Sequence, residues 1–99
     1  MNDLTGFQRD LLFVVAGNEG THGLGIRAEM DDYYNAEINH SRLYPNLDTL
    51  VEKGLLEKSE VDGRTNAYHI TTRGRREIDA RMDWQRARAE TYADVEVTA

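Results

Sequence analysis

The chain has 99 residues, a formal net charge of −6 and no cysteine. That length suits one domain with a modest core, and the missing thiols rule out disulfides and cysteine-based metal sites. No apolar run approaches the roughly 20 residues of a membrane span, and the N-terminus lacks a basic-then-apolar leader pattern, so a cytoplasmic protein with no membrane partner is expected.

The acidity is unevenly spread. Residues 1–38 hold seven acids and two bases, and residues 77–99 hold six and three, but residues 39–76 hold five acids and seven bases. Ten of the twelve basic residues are Arg. An acidic, Lys-poor surface suits a salty cytoplasm, where carboxylates hold hydrated cations. The middle segment is the one suited to an anionic partner.

Residues 1–4 are expected to fray. Thr5-Gly6-Phe7-Gln8 reads as a capping box that opens a first helix. Leu11 to Ala16 is an unbroken apolar run, which alone also fits a buried strand; the box and the length back to Thr5 favour the helix. A helix apolar nearly all round needs cover on more than one side. That points to a second subunit and makes Phe7 and Leu11 candidate dimer-interface residues. Gly17 to Gly23 is a turn cluster. A second helix follows from about Leu24 to Asn35, with Ile26, Met30, Tyr33 and Tyr34 inward, Leu24 and Ala28 supporting, and Arg27 outside. The short link Ala36-Glu37-Ile38 offers Ile38 as a core plug.

In the third helix Leu43, Leu47, Leu50 and Val51 recur at i, i+4, i+7 and i+8, the stripe of an amphipathic helix. Asn39 or Ser41 can cap its start, and Gly54 fits the left-handed position past its end. With Ser41 as cap, Pro45 deletes only the first ladder bond; with Asn39 as cap, it sits deeper and a bend is expected. Ser41, Arg42, Asn46 and Thr49 flank or oppose the stripe, with His40 and Tyr44 beside them. This donor set suits base edges and phosphates.

Gly54 to Ile70 reads as a β-hairpin. Leu55, Leu56 and Val61 lie on one arm, Tyr68 and Ile70 on the other, and Asp62-Gly63 gives the turn. Arg64, Thr65 and Asn66 sit at or beside the tip, and Arg64 and Asn66 join the candidate DNA contacts. Thr71 or Thr72 caps a last helix that runs to about Tyr92. One apolar seam is Gly74, Ile78, Met82, Ala89 and Tyr92; another, on the far side, is Ala80, Trp84 and Ala87. One seam can cover its own domain, and the other calls for a partner's helix. The spacing does not say which, so Ile78, Met82, Trp84, Ala87 and Tyr92 are all candidate interface residues. Arg73, Arg75 and Arg76 open this helix, where the dipole disfavours cations. A phosphate partner or nearby acids would offset that, and Arg75 is added to the DNA set.

Catalytic signatures are missing. There is no Gly-rich phosphate loop, no paired-Cys site and no HExxH. His22, His40 and His69 are scattered, and Ser41 has no evident base. No enzyme activity, cofactor or metal is expected.

Ser41-Arg42-Leu43-Tyr44-Pro45-Asn46-Leu47, then Leu50-Val51-Glu52-Lys53-Gly54-Leu55-Leu56, then Gly63-Arg64, then Tyr68-His69-Ile70-Thr71 and Gly74-Arg75 resemble, in order and spacing, the PadR-type winged-helix transcriptional regulators. The resemblance covers roughly residues 5 to 92. It is narrower towards the small PadR-like regulators of halophilic archaea, which include an oxidative-stress regulator. It implies a mostly α fold with a small β-hairpin: a single winged helix-turn-helix domain over residues 1–99, with a core over about 5–71, a C-terminal dimerisation helix over about 72–92 and a loose tail over 93–99. It also implies a homodimer on double-stranded DNA, with the third helix in the major groove and the hairpin over the backbone. A winged helix that meets protein instead of DNA is the alternative, in keeping with the overall acidity. Asp48 and Glu52 on the exposed side of the third helix, and Glu57, Glu60 and Asp62 near the hairpin, would repel phosphate at low salt. Monovalent cations taken up at the DNA interface are therefore expected partners at high salt. Without a thiol, side-chain sensing of oxidants falls to Met30 or Met82.

Overall fold

The computed structural model describes residues 1–98; Ala99, the last residue of the expected tail, lies outside them. Helix α1 spans Gly6–Gly17, α2 Gly23–Tyr34 and α3 His40–Glu52; strands β1 Leu56–Asp62 and β2 Thr65–Ile70 follow, and α4 runs Thr72–Tyr92. Every helix starts on a side-chain cap. The Thr5/Gln8 capping box is complete, with both reciprocal bonds at 3.1 Å. His22 Nδ1 accepts from the Gly25 amide to open α2, and Thr71 Oγ1 accepts from the Gly74 amide to open α4. For α3 the cap is Asn39, whose Oδ1 accepts from the Arg42 amide at 3.0 Å. Pro45 therefore stands inside the helix, which continues through it to Glu52.

The core gathers Leu11, Leu12 and Val15 of α1, Ile26 and Met30 of α2, and Leu43, Leu47 and Leu50 of α3, all fully enclosed. Ile38, Leu55, Leu56, Tyr68 and Ile78 close it. Helix α1 lies against α2, α3, β2 and α4, so one chain covers a helix that is apolar nearly all round. Phe7 and Leu11, expected at a subunit boundary, are 6% and 0% exposed. They are core residues, and the Phe7 ring meets Tyr34 edge-on at 5.7 Å. Ile78 also turns into its own core. Gly74, one turn earlier, lets α4 approach so closely that a methyl group there would overlap the Leu55 carbonyl oxygen. The Gly74–Ile78 seam thus covers its own domain.

Three further expectations change. Residues 1–4 are held: Leu4 is buried, and the Met1 ammonium donates to Glu77 Oε2 of α4 at 2.6 Å. In α2, Ile26 and Met30 face inward with Tyr34 half-buried, but Leu24 and Tyr33 are exposed. Leu24 lies about half a turn away from Ile26, and Tyr33 rests tilted on the Tyr34 ring at 5.5 Å. In the hairpin the register runs from Leu56↔Ile70 to Glu60↔Asn66 and then Asp62↔Thr65. Val61 has no partner, so this bulge turns it to solvent.

Asp62 Oδ1 accepts from the Arg64 and Thr65 amides, each at 3.0 Å, and closes the turn. Those two backbone bonds hold its carboxyl below the usual carboxylate range. On the other edge of β2, Tyr68 exchanges backbone bonds with Gly20 and Thr21, and His22 pairs with Ala67. At the base, Thr71 Oγ1 donates across Gly54 O (2.7 Å) and Leu55 O (3.1 Å). That hydroxyl joins the exit of α3, the hairpin and the start of α4. Three helices, a two-stranded wing and a C-terminal helix make the winged helix-turn-helix that the resemblance implies.

Candidate functional site

The apolar stripe of α3 fixes the rest of its surface. With Leu43, Leu47 and Leu50 buried, Ser41, Arg42, Pro45, Asp48 and Glu52 are exposed. Tyr44 is half-buried on the flank towards the wing, and Asn46 is half-buried on the flank towards α1.

The flank facing α1 is already engaged. The Arg42 guanidinium lies 3.9 Å from the centre of the Phe7 ring and 5.8 Å from that of Tyr34, a cation–π arrangement. The Asn46 side chain accepts from Gln8 Nε2 at 3.0 Å and donates to the Arg42 carbonyl at 2.7 Å. Thr49 Oγ1 donates to Pro45 O, and Ser41 Oγ to Asn39 Oδ1. These four expected DNA contacts have partners within the chain. Tyr34 in turn donates to Asp10 Oδ2 at 2.6 Å, and its phenol is pushed up to about 12, first by burial and then by that bond.

The other flank opens into a cleft of about 370 Å³ between α3, the wing and the start of α2. From α3 come His40 and Tyr44; from the wing Arg64, Thr65, Asn66 and Tyr68; from α2 His22, Gly23 and Leu24. Arg27 Nη1 lies 2.8 Å from His40 Nε2. A guanidinium can only donate, so that ring nitrogen accepts and Nδ1 is left as the donor. Burial first, then the charge of Asp48, raises the Tyr68 phenol above its ordinary value. No carboxylate lines this cleft, although the chain carries 18 acids. Three other surface clefts each hold at least one.

The structure therefore brings His40, Tyr44, Arg64 and Asn66 together and leaves Arg42, Asn46 and Thr49 on the opposite flank. Arg75 is exposed in the first turn of α4 and does not line the cleft. Asp48 pairs with Lys58 of β1 at 3.4 Å, both exposed, so α3 is tied to the wing by an ion pair at its surface. Along α4, Met82, Trp84 and Tyr92 are 40%, 49% and 66% exposed, and Ala87 is exposed with them. Arg81 and Arg88 lie over the Trp84 ring at 4.8 and 4.6 Å. Among the described residues no His, Asp or Glu cluster could hold a metal ion, and no helix is long and apolar enough to cross a membrane.

A family model described as "Transcriptional regulator PadR-like family" matches residues 11–80, from the middle of α1 to the first turns of α4. The chain belongs to the PadR-like family of transcriptional regulators. Two solved relatives bear this out. Halobacterium salinarum RosR grown from NaBr is 46% identical, with a TM-score of 0.80 over 92% of this chain and 91% of that one. The RosR–S1 complex is 45% identical, with a TM-score of 0.82 over 93% and 90%. Streptococcus pneumoniae FabT in complex with DNA shares the fold at 20% identity, with a TM-score of 0.76 over 96% of this chain and 64% of that one. No curated protein sequence matches the chain.

In this PadR-like chain the sequence reading missed the α2 side of the cleft. His22, Gly23 and Leu24 sit in a stretch whose glycines signal only a turn. The useful signal was the cap: His22 accepts from the Gly25 amide and so places Gly23 and the exposed Leu24 in the first turn of α2.

Proposed function

We propose that this PadR-like protein is a homodimeric, sequence-specific regulator that binds double-stranded DNA in the cytoplasm of a halophilic archaeon and serves an oxidative-stress response. The observation that carries the reading is the cleft. His40 and Tyr44 of α3 and Arg64 and Asn66 of the wing open to one side, free of carboxylates. With α3 in a major groove, the wing reaches the neighbouring backbone. The family supports the regulatory role, and the likeness to Halobacterium salinarum RosR supports the halophilic assignment; the stress assignment rests on the resemblance in the α3 and wing motifs. The exposed Met82, Trp84, Ala87 and Tyr92 support pairing of two copies through the outer half of α4. Two copies so joined would present their α3 helices about one helical turn of DNA apart, roughly 34 Å. Asp48 and Glu52 stay on the exposed side of α3, which supports monovalent cations between carboxylate and phosphate at high salt.

Selection from a pool of random duplexes, at low and at molar KCl, tests the whole reading. A two-fold symmetric site with half-sites one turn apart is expected, and its enrichment should persist in molar KCl. Failure to enrich any sequence at either salt concentration would leave the winged helix as a protein-interaction module.

A further inference from the structure

Gly23 needs no special backbone. The glycines with positive φ are Gly20 and Gly54, so the first residue of α2 would accept any L-residue, and alanine has the better helix propensity. What requires glycine is the space above it. A methyl group on Gly23 would lie 2.5 Å from Tyr44 Oη, 2.7 Å from Cε1 and 2.9 Å from Cζ. The far end of the Tyr44 ring lies against the bare α2 backbone at Gly23, with the His40 ring 5.4 Å away on its own helix.

We infer that Gly23 is a positioning residue: it lets Tyr44 lie back against α2, and that keeps open the cleft in which the sugar-phosphate of one DNA strand is seated between α3 and the wing. The inference rests on the proposed DNA-binding function. The cleft's chemistry points to the ligand. Arg64, Asn66 and the Tyr44 hydroxyl are donors, Leu24 offers an exposed apolar side chain to a sugar, and no carboxylate is present. A methyl at Gly23 meets only the far end of a side chain that can pivot. The fold should survive, with the displaced ring filling the space opposite Arg64 and Asn66. Gly23→Ala therefore closes the site by moving the Tyr44 ring and leaves Arg64 and Asn66 unaltered.

The test is a double-mutant cycle on the duplex selected with the parent protein, with melting followed in parallel. Gly23→Ala should bind that duplex about tenfold or more weakly at an unchanged melting temperature. Tyr44→Ala should also weaken binding, and Gly23→Ala/Tyr44→Ala should be no weaker than Tyr44→Ala alone, since coupled neighbours are not additive. Should Gly23→Ala fail to fold, Tyr44→Trp crowds the same contact from α3 and is expected to show the same loss. Parental affinity in Gly23→Ala, or in Tyr44→Trp where it stands in, overturns the inference, as do fully additive losses in the double variant. A parent that binds no duplex takes down the DNA-binding reading itself, and this inference with it.

Discussion

Leu43, Leu47 and Leu50 of α3 are fully enclosed, whereas Met82, Trp84 and Tyr92 of α4 are largely open to solvent. Both sets are large apolar side chains on helices. The α3 set meets α1 and the hairpin of its own chain. Beyond Ile78 the α4 set meets its own chain chiefly through two arginines stacked on Trp84. Burial therefore follows from what stands opposite a helix, and a stripe alone does not reveal that. The head of the molecule is finished within one chain, and the outer half of α4 is where a second chain has apolar surface to gain.

The comparison can be broken first in the head. Leu47→Ala removes a fully enclosed side chain with neighbours on several elements, and should cost about 2–5 kcal/mol in chemical unfolding. A loss under about 1 kcal/mol would mean that the core is looser than its burial implies. Trp84→Asp is the counterpart. Its effect on the stability of the head should stay within about 0.5 kcal/mol, as for a surface change, while light scattering shows the parental dimer reduced to monomer. A parent already monomeric at micromolar concentration would end the proposed pairing.

Within α3 the same contrast applies between its two flanks. Arg42→Ala should cost about 0.5–1 kcal/mol of stability, because the guanidinium leaves the Phe7 and Tyr34 rings. It should weaken all duplexes alike, through a less firmly held helix. A change of preference at one base pair would instead make Arg42 a reader. A further effect is expected at high pH. Tyr34 titrates near 12 in the folded chain because of its burial and its bond to Asp10, against about 10 when unfolded. Its contribution is complete below about pH 10 and is lost as pH rises towards 12. Melting curves across that range should fall more for the parent than for Tyr34→Phe, and parallel curves would remove Tyr34 from the account.

Much of the fold was legible because its signals are local. The Thr5/Gln8 box, the four-residue rhythm of α3, the Asp62-Gly63 turn and the Thr71 cap each lie within a few residues, and each appears as expected. Leu24 and Val61 were missed for local reasons, helical phase and the bulge; the other differences concern distance along the chain. Phe7, Leu11 and Ile78 were apolar for the reason supposed, but the cover came from their own chain. Arg42 stays exposed, but its contact with the rings of Phe7 and Tyr34, far away in sequence, has no local signal. Gly23 looked like a turn residue because the ring that needs its bareness belongs to Tyr44. Leu4 was assigned to a frayed end, yet it is buried at the edge of the core beside a terminus bonded to Glu77.

The Thr71 hydroxyl gathers the end of α3, the base of the wing and the first turn of α4 into one rigid knot. Past the Gly74–Ile78 seam α4 continues from Asp79 to Tyr92, an outer arm of about 20 Å at 1.5 Å per residue. A tilt of about 10° moves the far end of such an arm by roughly 3–4 Å. Read in reverse, a shift of a few ångströms among the outer turns, where Trp84 and Tyr92 stand, corresponds to only a small angle at the Thr71 bonds. The geometry of such an arm gears displacement down: a coarse movement at the tip of α4 is a fine angle at its base.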